Sequence, residues 1–209
     1  RLLEFMNQSR TPGGGGKSLL AFNEVVTTST KFTAGGVMTW QLALTKNVAA
    51  PRHVFVVLQN VNRAEDAVAA NIQERSHMIF DKLGVSQVSL RISNHEEPSE
   101  QVIIDYEHND IGRVYHRLWS FMGRDQNVDT GLQISQVDFN TLYPIYYFSL
   151  QHLDLTKHSV VDTKFQANVG GPVPVSGFRA TAVMLIDKAL TLEGGNGIMR
   201  VVDAPIEAL

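Results

Sequence analysis

Val161-Asp162-Thr163-Lys164-Phe165-Gln166-Ala167-Asn168-Val169 decides the fold class, because Val161, Thr163, Phe165, Ala167 and Val169 alternate without a break against four polar residues. A period of two is the rhythm of a strand with one face on a core and the other in water; helical spacing would scatter the five residues around the axis. Working outward, Met38, Trp40, Leu42 and Leu44 alternate with Thr39, Gln41, Ala43 and Thr45, and Val88, Leu90 and Ile92 alternate with Ser89, Arg91 and Ser93. Residues 54–58 and 143–150 are apolar on both faces and rich in β-branched and aromatic side chains, which predicts strands covered on both sides. Residues 20–28, 178–186 and 198–202 bring the predicted strands to about eight, the number of a jelly roll. The fold class expected is therefore all-β: an eight-stranded antiparallel jelly-roll sandwich with one or two short helices in long connecting loops.

The first of those helices is marked by the stripe Ile111, Val114, Tyr115, Leu118 and Met122, with Asn109 or Asp110 placed as N-cap and Gly123 as stop. It should lie on a sheet. A weaker helical pattern runs over 64–80, beginning Ala64-Glu65-Asp66. Near the start, Pro12-Gly13-Gly14-Gly15-Gly16 separates a short apolar lead from the rest and predicts a flexible arm over 1–18 followed by a single jelly-roll domain over 19–209. An opening Arg1 in place of methionine reads as the start of a piece of a longer chain.

Composition removes several function classes. The 209 residues carry a formal charge of −3, without the basic surplus that drives binding to phosphate backbones, so no direct nucleic-acid binding is expected. With no cysteine, disulfides, thiolate catalysis and thiolate metal sites are excluded. No apolar run approaches the length of a membrane span, and the chain reads as soluble.

The motifs that could carry chemistry are weak. Gly13 to Ser18 spells GGGGKS and resembles the end of a phosphate-binding P-loop, but Thr11 stands where the motif wants its first glycine and Pro12 removes a backbone donor. Asp105 and Asp187 follow apolar runs as magnesium carboxylates would, as many strand ends do. His53, His77, His95, His108, His116, His152 and His158 include no pair four apart, the spacing of a helical zinc site. No Gly-x-Ser-x-Gly elbow occurs, and Ser176 reads as a turn residue. Glu96, Glu97 and Glu100 read as a solvated loop around Pro98, and Tyr143, Tyr146, Tyr147 and Phe148 as packing aromatics rather than a stacking platform for sugars or bases. No catalytic residue, cofactor or metal is expected.

Three stretches carry a resemblance: Pro51-Arg52-His53-Val54-Phe55-Val56-Val57-Leu58-Gln59; residues 85–93 with the acidic loop and the helix ending near Met122; and Tyr143-Pro144-Ile145-Tyr146-Tyr147-Phe148-Ser149-Leu150 with the segment to Phe165. In order and texture, over about residues 20–203, the chain resembles the double jelly-roll major capsid proteins of eukaryotic DNA viruses, among them the polinton-like and adintovirus-like capsids. The resemblance implies two upright barrels per subunit and a trimer forming a pseudo-hexagonal capsomer. This chain has room for one barrel, either the C-terminal half or a single-barrel relative of the penton type.

The expected function is thus that of a structural capsid protein, not an enzyme, self-assembling into the capsomers of an icosahedral shell. It would be assembled inside the host cell, reside in the virion, and contact neighbouring capsid and penton or minor capsid proteins. Trp40, Leu42, Phe55, Leu90, Phe148 and Phe165 are expected to pack the barrel; residues 64–80, 123–140 and the glycine-rich arm are expected to touch other subunits. The alternative is a carbohydrate- or peptide-binding β-sandwich, with a nucleotide-using enzyme built on Lys17 behind it.

Overall fold

The computed structural model describes residues 16–42, 51–61, 78–92, 95–99, 102–124, 134–151, 163–195 and 198–203. Nine strands and two helices follow one another among them: β1 (Gly16–Phe32), β2 (Gly36–Leu42), β3 (Pro51–Asn60), β4 (Val85–Ile92), β5 (His95–Glu97), α1 (Gly112–Arg124), α2 (Gln136–Thr141), β6 (Tyr146–Ser149), β7 (Thr163–Val169), β8 (Phe178–Gly195) and β9 (Ile198–Asp203).

Pairing follows a nested rule. One sheet runs β1-β8-β3-β6 and the other β2-β7-β4-β5. The antiparallel partners are therefore first with eighth, second with seventh, third with sixth and fourth with fifth. A long hairpin rolled up on itself produces that sequence of partners, with alternate pairs falling in alternate sheets; it is the jelly roll. β9 stands outside the roll and pairs with the second half of β8, Leu190–Gly195, beyond the stretch that β3 occupies.

The alternating runs bury what they predicted. On β7, Thr163, Phe165, Ala167 and Val169 all face inward; their partners on β2 are Leu42, Trp40, Met38 and Gly36, and Ile92, Leu90 and Val88 flank the first three from β4. From the facing sheet come Val54, Val56 and Leu58 of β3, Tyr146 and Phe148 of β6, and Phe178, Ala180, Ala182, Met184 and Ile186 of β8. The alanines of β8 make room for larger side chains of the opposite layer, and Phe148 meets Phe165 edge-on at 6.1 Å across the gap.

The two runs apolar on both faces turn out to be neighbours, since Val54 pairs with Phe148 and Phe55 with Tyr147. Their outer face is closed by α1, whose Phe121 sits 5.0 Å from each of the Phe55, His53 and Tyr147 rings. Phe55 accordingly packs under the helix, not between the sheets. The helix stripe is confirmed in Ile111, Val114 and Leu118, all buried. Its start differs: the carbonyl of Ile111 accepts from Tyr115 N, so Ile111 occupies the N-cap position in place of Asn109 or Asp110, and Gly123 lies inside the last turn. Nearby, Tyr106 and Tyr146 share a hydrogen bond of 2.8 Å, which ties this long connection to the core. Burial pushes the Tyr106 phenol up to about 12, and burial also raises the Tyr146 phenol well above its ordinary value.

Other expectations need correcting. The acidic stretch around Pro98 is not simply a solvated loop, because His95–Glu97 forms β5 against Leu90–Ile92. It was hidden because three residues leave no periodicity to read. The eighth strand counted from sequence was instead β9. The run 143–150 becomes a strand only over Tyr146–Ser149; Tyr143 N donates to Asp138 O at the end of α2, and Pro144 has no N–H to give a ladder. The arm boundary drawn after Ser18 falls inside β1, where Gly16, Lys17 and Ser18 pair with Gly194, Glu193 and Leu192. The helix expected over 64–80 lies outside the described residues except for 78–80, which form no helix.

Candidate assembly surfaces

Among the described residues, the sites considered from sequence lie apart from one another. Gly16-Lys17-Ser18 lies in an antiparallel strand rather than in a loop opening a helix, so its backbone groups serve the ladder with β8 and do not form a phosphate cradle. Asp187 is held by Arg52 Nε at 2.8 Å. Asp105 accepts from the backbone N–H of Glu107 and His108 and lies 2.7 Å from His108 Nδ1. Those bonds from His108 lower the Asp105 carboxyl, and the carboxylate in turn raises the His108 imidazole. The pair builds a surface turn closed by two backbone hydrogen bonds between Asp105 and Asp110.

Other candidates among the described residues make structural contacts. Glu97 accepts from Arg117 Nη1 at 2.6 Å, fastening β5 to α1, and Glu96 lies 3.9 Å from Arg91. Ser176 bonds Asn60 at 3.3 Å within a turn whose Gly177 takes φ +82°. His53 Nδ1 shares a 2.7 Å hydrogen bond with Tyr147 beneath α1, and His116 rests beside Trp119 on the outside of the same helix. His77, His152 and His158 fall outside the described residues, as does Glu100. Among the described residues no cluster of three or more His, Asp or Glu could hold a metal. Nor is any described helix long and apolar enough to cross a membrane. Tyr146, Tyr147 and Phe148 are buried, which leaves no exposed ladder of rings on β6 for a sugar or a base.

A groove of about 460 Å³ runs along α1, lined by Pro98, Ser99, Val102, Gly112, Arg113, His116 and Arg117. A glycan site would want an aromatic platform in its wall, and this wall offers none beyond the His116 imidazole.

What the surface does offer is apolar area on the flanks. Trp119 is 51% exposed on α1, Val137 71% on α2, Ile103 67% beside β4, and Met78 71% at the end of the 64–80 insertion. Phe22 and Val25 are exposed on β1, Val37 on β2, and Val175 at the sandwich end. Two of the three regions expected to make contacts, 64–80 and 123–140, thus show exposed apolar residues in their described parts. The glycine-rich arm lies outside those parts apart from Gly16–Ser18. Trp119 lies outside the expected stripe, one position and about 100° of helical turn on from the buried Leu118, which puts it on the exposed flank of α1.

The fold and these surfaces define a jelly-roll sandwich with bare apolar flanks and no described catalytic cluster. No protein-family model matches the chain, and no curated protein does. Solved structures do. A chain in the 3.5 Å cryo-EM structure of the Sputnik virophage superposes with a TM-score of 0.50 and 13% identity, over 91% of this chain and 39% of its own length. The mavirus major capsid protein aligns over 90% of this chain and 41% of its own, at 10% identity and a TM-score of 0.38. This chain spans about two fifths of the length of either. At such identity the Sputnik likeness establishes a shared fold, the jelly roll that the resemblance to capsid proteins of eukaryotic DNA viruses implied.

Proposed function

We propose that the chain is a structural protein of a viral shell, one jelly-roll unit that assembles with copies of itself and with other capsid proteins into capsomers. The observation that carries the reading is the nested β1–β8 roll together with its superposition on a Sputnik virophage chain over nine tenths of the present sequence. The physics is that of burial. Rigid sheets present loops, strand edges and the outside of α1 to neighbours, and stable interfaces of this kind typically bury on the order of 2,000 Å² or more. In this reading the subunits form trimers of pseudo-hexagonal outline, the site of residence is the virion, and penton or minor capsid proteins are the other partners.

Light scattering on the purified chain, alone and joined to whatever its natural reading frame encodes beside it, tests this directly. Trimers or larger closed assemblies visible by negative-stain microscopy are the expected result. A protein that stays monomeric in both forms and binds glycans or peptides on an array would replace the capsid reading with that of a recognition module.

A further inference from the structure

We propose that a second copy of this chain adds to the sheet along the free edge of β1, antiparallel and across a twofold axis, with Thr27 of one copy facing Thr27 of the other. Among the described strands β1 pairs with β8 alone, so its other edge presents a row of backbone donors and acceptors along a 17-residue strand. The remaining edges are short: β2 has seven residues, β9 six, β6 four, and β5 three, with Arg91 and Glu96 beside it. Natural edges are protected by bulges, prolines and inward charges; of these, the described side chains of β1 supply one inward charge, Glu24. Its register with β8 runs from Gly16 to Phe32 without a shift, and from Val25 to Thr30 every residue is uncharged and either β-branched or serine.

The sequence Phe22-Asn23-Glu24-Val25-Val26-Thr27-Thr28-Ser29-Thr30-Lys31-Phe32 is complementary to itself when reversed about Thr27. That register sets Phe22 opposite Phe32, Asn23 opposite Lys31, Glu24 opposite Thr30, Val25 opposite Ser29 and Val26 opposite Thr28. Aromatic residues meet at both ends, and no like charges face each other. Moving the axis by one residue along the strand, to Val26 or Thr28, separates the two phenylalanines. Axes between residues would set inward residues against outward ones, which a continuous sheet forbids. The faces also agree. Asn23, Val25, Thr27, Ser29 and Lys31 form an exposed outer row, while Glu24, Val26, Thr28, Thr30 and Phe32 point toward the sandwich but remain only half-buried. A continued sheet would extend both rows, as an isologous interface requires.

Sedimentation equilibrium on the full chain tests the contact. Thr27→Lys and Thr27→Glu each place like charges opposite one another at the axis, and each should weaken self-association roughly tenfold or more. Mixed in equal amounts, the two variants should recover it. Thr27 points outward, so the melting temperatures should match the parent and exclude misfolding as the cause. A parent chain that does not self-associate, a Thr27→Lys variant that associates like the parent, or a mixture that fails to recover would each overturn the proposal. This contact is independent of the shell reading: capsomers that form with Thr27→Lys unaffected would refute the edge pairing alone.

Discussion

Replacing Phe165 with alanine tests the sandwich at its centre. The side chain is fully buried on the middle of β7, with Trp40 beside it on β2, Leu90 on β4 and Phe148 edge-on from the opposite sheet. Removing a buried phenylalanine costs about 3 to 5 kcal/mol, transfer and cavity together. Domains are stable by about 5 to 15 kcal/mol, so roughly a fifth or more of the total would go. At this chain length about 4 kcal/mol corresponds to a fall in Tm of roughly 8 to 16 °C. Urea unfolding followed by tryptophan fluorescence is the assay, since Trp40 is buried next to the site and reports on that layer. Val25→Ala on the exposed row of β1 is the control, expected within about 0.5 kcal/mol of the parent. If Phe165→Ala and Val25→Ala shifted the midpoint equally, Phe165 would not lie between two sheets and the argument from period-two alternation would fail.

Thr163→Val should stabilise the protein by about 1 kcal/mol in the same assay, because Thr163 Oγ1 is buried without a hydrogen-bond partner among the described residues. A loss would show that the hydroxyl is satisfied. Gly171→Ala should cost roughly 2 kcal/mol or more, since a Cβ there would stand 2.7 Å from Gly84 N and Leu83 O, where two backbones cross too closely to yield; an unchanged midpoint would contradict that crossing. The Asp105–His108 turn has a defined pH window. The lowered Asp105 contributes above its unfolded value of 3.8 and is lost as pH falls through its folded value; the raised His108 contributes fully below 6.5 and is lost as pH rises through its folded value. Protection of the Glu107 and His108 amides from proton exchange, relative to the free-peptide rate at each pH, should therefore be greatest between those limits, and Asp105→Asn should bring the His108 titration, followed by NMR, back down. A His108 pKa unmoved by Asp105→Asn would refute the pairing.

How much of this was legible in the sequence depended on how each element is held. β2, β4 and β7 announce themselves because one wet face forces alternation, and every alternating residue that was described on the apolar side is buried. β3 and β6 were equally plain as strands, and their two-sided apolar character correctly required a cover, which α1 and its Phe121 supply. β5 was invisible because three residues held by partners at Leu90–Ile92 need no pattern of their own. The candidate contact surfaces were legible only as segments. An interface residue such as Trp119 obeys no spacing rule, and only the direction in which the buried stripe of its helix points shows that it faces out.

That asymmetry of cover bears on which flank meets neighbours. The outer face of β3 and β6 is closed within the chain by α1, fastened to β5 through Arg117 and Glu97, and by the ring cluster around His53. At the far edge of the same sheet β1 has no described neighbour beyond β8, and its inward residues stop at half-burial although the residues they pair with on β8, Phe178, Ala180, Ala182, Met184 and Ile186, are fully enclosed. A sheet whose interior row goes from fully enclosed to half-wet across one strand spacing is a core that has not finished closing. In the proposed contact a second copy supplies the next strand, and a partner on β1 would reduce exposed apolar area on Val26 and Phe32 while leaving the α1 side untouched.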